Sequence, residues 1–158
     1  MDKKERKLRI FVDTSVFGGC FDDEFRTASE RFFEQVKNGL FTVVVSDTVI
    51  KELEKSPEEV KKLFASIPEV ALEVVSITAE IENLRDAYLA NKIVTEKYFD
   101  DAEHIAAATI SKTDIIISWN FKHIVNFNRI KKYNGVNLLQ GYGELAIHSP
   151  SEVIENEG

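Results

Sequence analysis

Short apolar runs that alternate with longer helical stretches constrain this chain more than any other feature. Leu8 to Val12, Leu40 to Val45, Leu72 to Ile77 and Ile115 to Trp119 read as strands, and the β-branched second run reads as a buried one. Between them lie segments of helical character. One runs from about Thr27 to Asn38, with Phe32, Phe33 and Val36 on one side and Gly39 as its stop. A second, about Thr48 to Lys55, is capped by Ser46 or Asp47. Ser56-Pro57-Glu58-Glu59 has the pattern of a capping box and predicts another helix to about Ser66. Further helices are predicted from Thr78 to Asn91 and from Phe99 to Ser111, with a helix or helical loop over Phe121 to Tyr133. Glu144 to His148 reads as a last edge strand closed by Pro150. This alternation predicts a three-layer α/β/α fold with a mainly parallel central sheet.

Length and composition fit one domain over residues 1–158, with an apolar fraction of 44% that suffices for a core. No apolar run approaches the roughly 20 residues needed to cross a bilayer. The start, Met1 to Lys7, is basic but no apolar stretch follows it, so no secretory signal is expected. Cys20 is the only cysteine, which excludes an intrachain disulfide and makes a cytoplasmic location the expectation. The net charge of −7 counts against a protein that merely coats nucleic acid, though not against an enzyme acting on it. Basic residues do gather locally, at Lys3, Lys4, Arg6, Lys7 and Arg9, and again at Lys122, Arg129, Lys131 and Lys132. Such runs serve equally well as solvated faces.

In an open parallel sheet the chemistry sits at the carboxyl ends of the strands. Asp13 stands there after the first strand; an Asx turn or helix cap is the alternative role for it. Glu52 falls beside the apolar stripe of the helix after the second strand, whereas Glu54 points away. Taken alone, it could equally be a solvated helix glutamate. Asp101 shares a helix face with Ile105 and Ala108, where small residues permit close approach to the sheet; the alternative is a first-turn helix charge. Asn120 follows the fourth strand, and Asp114, at that strand's other end, reads as structural. Asp13, Glu52, Asp101 and Asn120 can therefore converge at one edge of the sheet. Their oxygen donors suit Mg²⁺ or Mn²⁺, which keep waters for a substrate phosphate.

Other chemistries fit less well. An aspartyl-nucleophile phosphatase needs a second acid where this chain has Ser15. His104, His123, His148 and Cys20 lack zinc-ligand spacing. No glycine-rich phosphate loop is present, and Gly18-Gly19 is a turn signal. His104 reads as a helix-flank residue, His123 as a support or RNA contact, and Trp119 as core.

Taken together, Val12-Asp13-Thr14-Ser15-Val16, Glu52, Asp101-Ala102 with His104-Ile105-Ala106, and Ser118-Trp119-Asn120-Phe121 give a chain that resembles the PIN domain family. The likeness extends to the VapC-like toxins of toxin–antitoxin pairs, and the tail Glu144 to Ile154 resembles the closing strand and turn of that family. The resemblance implies a metal-dependent endoribonuclease. Asp13, Glu52 and Asp101 match the three central acids, and Ser15 matches a hydroxyl residue that orders the site. Many members carry aspartate where this chain has Asn120, which lowers the site charge by one. The implied mechanism has Asp13 and Asp101 holding a divalent ion, Glu52 ligating it or orienting water, and Asn120 positioning water or a phosphate oxygen. The implied partners are an RNA substrate, a cognate antitoxin and a second copy in a homodimer, with Phe17, Phe21 or Phe25 as an apolar docking surface. The rival expectation is a catalytically impaired PIN-type module that binds RNA or protein.

Overall fold

The computed structural model describes residues 6–155, so Lys3 and Lys4 of the first basic cluster lie outside the described residues. Five strands, β1 (Leu8–Val12), β2 (Phe41–Ser46), β3 (Leu72–Val75), β4 (Ile115–Ile117) and β5 (Ala146–His148), form one sheet in the order β3-β2-β1-β4-β5. Every pairing is parallel, and Ile10 of β1 lies between Val43 of β2 and Ile115 of β4. Ile10, Phe11 and Val12 are all buried, as are Val43, Val44 and Val45. Successive residues point to opposite faces, so both faces of the central strands are covered.

Helices α1 (Thr14–Gly19), α2 (Arg26–Lys37), α3 (Asp47–Glu54) and α4 (Glu58–Ala65) occupy the connections from β1 through β2 to β3. Helices α5 (Ala79–Ala90), α6 (Phe99–Ile110) and α7 (Phe127–Leu139) occupy the return through β4 to β5, followed by α8 (Pro150–Val153). Right-handed crossovers that travel in opposite directions put their helices on opposite faces of the sheet. Accordingly α5 packs on α6 and α7, and α2 packs on α1 and α8, giving the three layers expected. Among the described residues no helix is long and apolar enough to cross a membrane.

Local chemistry explains most boundaries. Ser46 caps α3 by accepting the Val49 N–H at 3.3 Å, which decides between Ser46 and Asp47. Thr78 does the same for Ile81 at the start of α5. Gly39 takes a φ of +84°, a left-handed conformation suited to the residue after a helix.

Several boundaries differ from the sequence reading, and β3 ends at Val75 rather than Ile77. The expected capping box at Ser56 does not form. Its hydroxyl donates to the Glu52 carbonyl at 3.1 Å, satisfying the end of α3, while Pro57 begins α4 without a side-chain cap. Strand β4 stops at Ile117 because Trp119 N–H turns to the Ser15 hydroxyl instead of continuing the ladder. Residues 121–125 form turns rather than a helix. Asn120 Oδ1 accepts the N–H groups of Lys122 and His123, and α7 starts only where Asn126 accepts the Arg129 N–H. Pro150 does more than close a strand: it opens α8, and Glu152 reaches back to the Ser149 N–H at 3.2 Å.

Candidate functional site

The strand order reverses between β1 and β4, so connections leave these neighbours toward opposite faces and open a crevice at their carboxyl ends. Asp13 follows β1 at this point. It occupies the cap position of α1, yet its carboxylate makes no capping bond. Instead Asp13 Oδ2 accepts the Ser15 hydroxyl at 2.8 Å and the Ser118 hydroxyl at 2.7 Å. Both hydroxyls also accept backbone N–H groups from the turn after β4, Ser15 from Trp119 and Ser118 from Asn120. These bonds fix a nearly buried carboxylate, 5% exposed, at the strand switch. The Asx-turn or cap role for Asp13 is thereby set aside.

Asp101 lies in the first turn of α6 and accepts a hydrogen bond from Asn120 Nδ2 at 3.2 Å. Burial raises its pKa to about 6, with the charges of Asp13 and Glu52 adding to the effect and His104 and Asn120 opposing it. Glu52, on α3, brings Oε1 to 3.0 Å from His104 Nε2, and the same nitrogen lies 3.5 Å from Asp13 Oδ1. Glu52 Oε1 is nevertheless buried without a hydrogen-bond partner, because the close approach lacks hydrogen-bond geometry. The four polar residues expected from the sequence, together with Ser15, are thus gathered at one edge of the sheet.

The sequence reads His104 as a helix-flank residue, and the structure corrects this. The ring is fully buried between Asp13 and Glu52, with Phe11 beneath it at a centroid separation of 6.0 Å. Burial alone would lower its pKa, but Glu52, Asp13 and Asp101 together outweigh it and raise the value to about 9. The signal was present: His104 is three residues after Asp101, on the same helix face that singled out the aspartate. His123 is buried and stacks on Tyr98 at 3.6 Å, while Trp119 is core, its indole N–H donating to Ser29 at 2.8 Å.

Three carboxylates meet one imidazole here, and no described Lys or Arg pairs with Asp13, Glu52 or Asp101. The uncommitted Glu52 oxygen suits a hard cation. Among the described residues no group of three or more His, Cys, Asp or Glu side chains is arranged to hold a metal ion. A cleft of about 540 Å³ opens beside Glu52, bordered by Lys51, Lys55, Arg85 and Asp100.

Two solved structures share this fold. VapBC2 from Rickettsia felis, bound to a DNA fragment from its promoter, is 14% identical with a TM-score of 0.59, over 90% of this chain and 98% of that one. Mycobacterium tuberculosis VapC20, a toxin that cleaves the sarcin–ricin loop, is 18% identical with a TM-score of 0.56, over 87% of this chain and 98% of that one. No curated protein matches the sequence significantly. A family model described as the PIN domain matches residues 9–122, from β1 through the turn that carries Asn120. With that match spanning most of the chain and the acids gathered at the switch of a five-stranded parallel sheet, this chain belongs to the PIN domain family.

Proposed function

We propose that this chain is a metal-dependent endoribonuclease and the toxin of a toxin–antitoxin pair. The observation that carries the reading is the convergence of Asp13, Glu52 and Asp101 with an excess of negative charge at the topological switch point. One imidazolium balances only one of three carboxylates, and folding gains nothing from the negative charge left over, so such a cluster argues for a bound cation. Mg²⁺ or Mn²⁺ is the ion of choice for oxygen donors beside a phosphate substrate.

A bound divalent ion would lower the pKa of water and offset charge on the phosphate in an in-line displacement. Asp13 and Asp101 are the residues to hold it. The Ser15 and Ser118 hydroxyls keep Asp13 in one orientation. Glu52 joins the ion or orients the attacking water. Asn120 holds Asp101 through Nδ2 while its Oδ1 organises the next turn. His104 keeps Glu52 and Asp13 together when no cation is bound.

The likeness in fold to a VapBC assembly supports an antitoxin partner, and the homodimer is carried over from the family resemblance alone. The aromatic docking surface is reduced to Phe21, which is 41% exposed, and the partly covered Phe25, because Phe17 is fully buried. A non-catalytic binding module is the second reading, and Asn120 in place of an acid favours it. Cleavage of RNA with Mg²⁺ or Mn²⁺ separates the two. The nuclease reading expects cleavage that chelator abolishes and that falls at least about 100-fold in Asp101→Asn, the order lost with a main electrostatic contributor. Undiminished cleavage by that variant would remove Asp101 from the site, and no cleavage by wild type would favour the binding module.

A further inference from the structure

Beside the acid cluster lies a patch of opposite character, built on the turn that Asn120 organises. Asn120 faces both: Nδ2 bonds Asp101, while Oδ1 accepts the Lys122 and His123 N–H groups at 3.2 and 2.9 Å. The turn leaves Phe121 half exposed, packed at a tilt against Trp119 and Phe25 with centroid separations of 6.1 and 6.4 Å. Trp119 and Phe25 are themselves stacked at 4.4 Å, so Phe121 stands on a rigid aromatic base.

Lys122 follows Phe121 directly in the turn, and further cations lie around His123. Lys97 Nζ lies 5.7 Å from the ring centroid of Tyr98, which stacks on His123 at 3.6 Å, and burial together with the charges of Arg129, Lys122 and Lys97 lowers the pKa of His123. Among the described residues none of the three has a carboxylate within ion-pair distance, and Arg129 Nε is buried without any partner. Tyr133 underlies the patch, its hydroxyl donating to the His123 carbonyl at 3.0 Å. In a chain of net charge −7, cations without carboxylate partners beside a half-exposed ring are a local departure from the chain's overall charge.

Resting on the ribonuclease reading, we propose that Phe121, Lys97, Lys122 and Arg129 form a subsite for unpaired RNA next to the acid cluster, where the cations hold backbone phosphates and Phe121 stacks on a base. Phosphates supply the charges that the three cations lack. A ring with one free face accepts any base, but only a base out of a duplex can reach it. The preference would then be set by the nucleotide that flanks the cut.

The test is binding of a labelled single-stranded RNA of about a dozen nucleotides in chelator, so that cleavage plays no part. Wild type should bind it better than the same strand in a duplex. Phe121→Ala should weaken single-strand binding by about 5- to 100-fold, the range of base–aromatic stacking. A strand lacking bases should bind wild type and Phe121→Ala alike. Lys97→Gln with Lys122→Gln should flatten the salt dependence by about 1.4 in log–log slope, roughly 0.7 for each single-strand phosphate that is no longer neutralised. Phe121→Leu separates stacking from packing: it should retain the fold yet bind like Phe121→Ala. The subsite is overturned if these variants bind RNA as wild type does. If cleavage also persists, the nuclease reading stands without it. It is equally overturned if Phe121→Ala leaves RNA binding intact and abolishes self-association, which would make the face a protein interface. Failure of wild type to bind or cleave any RNA overturns the subsite and the nuclease reading together.

Discussion

Glu103 and His104 sit side by side on α6, and the charges around them are balanced in opposite ways. Glu103 is buried but matched: Arg85 Nη1 donates to it at 2.7 Å, the Thr48 hydroxyl donates to it as well, and the guanidinium rests 4.0 Å over Phe99. Around His104, three carboxylates share one imidazole, and Glu52 Oε1 and His104 Nδ1 have no hydrogen-bond partner. The first region is closed on itself and holds α3, α5 and α6 together. The second retains negative charge and free oxygen atoms. A buried ion pair that serves structure uses both charges on each other, whereas a site for a cation must leave its charges uncommitted.

Breaking the closed region should cost most. Arg85→Met leaves the Glu103 carboxylate buried and unmatched, and should lower stability in urea by about 3–5 kcal/mol while sparing metal response at temperatures where the variant is folded. A loss below about 1 kcal/mol would mean that Glu103 simply protonates or finds water.

The open region should respond to pH instead. The pKa of His104 is raised from its usual 6.5 to about 9, so the metal-free fold holds this proton more tightly than the unfolded chain does. The resulting stabilisation is fully present below pH 6.5 and is lost as pH rises through about 9. It should amount to about 3 kcal/mol across that window in chelator. His104→Gln should flatten the profile, and an unchanged profile in that variant would show that the imidazole is not the counter-charge of the cluster.

The smallest effect belongs to the opposite edge of the sheet. There Asp114 meets Arg6 and accepts the Arg9 N–H, and Arg9 also bonds Glu73 at 3.0 Å, as suits the structural role read for Asp114. Arg6 is 74% exposed, so Arg6→Ala should change stability by less than about 1 kcal/mol and leave metal response untouched. A larger loss would show that this pair is more than a surface contact.

Much of this was legible in the residues. The short apolar runs located every strand, most clearly β2, which is covered on both faces and is β-branched and apolar along most of its length. The acids were legible because each stands where a strand ends or a helix faces the sheet. Helix α1 was not, because Thr14 to Gly19 is short and ends in two glycines with poor helix propensity. It forms because it packs tightly: a Cβ on Gly19 would lie 2.5 Å from the Ser29 hydroxyl and 2.7 Å from the Trp119 indole nitrogen. The start of α7 was misplaced because Asn120 and Asn126 are both asparagines able to receive turn N–H groups, and only the fold assigns one to the site and the other to the cap. His104 was missed although it shares the helix face of Asp101, because its neighbours Asp13 and Glu52 arrive from the end of β1 and from α3, far away in sequence.

Thermal unfolding of wild type and Asp101→Asn, in chelator and across a Mn²⁺ titration, tests the central claim most directly. Asp101 carries a pKa raised to about 6, so its charge costs the metal-free fold stability at neutral pH, and that cost is relieved as pH falls toward its ordinary value of 3.8. Asp101→Asn should therefore be more stable than wild type in chelator. Mn²⁺ should stabilise wild type in proportion to the logarithm of its concentration, by about 2.7 kcal/mol at one hundred times Kd, and should stabilise the variant much less. A wild type that gains nothing from Mn²⁺, together with a variant that is less stable in chelator, would contradict the claim that these acids form a shared cation site.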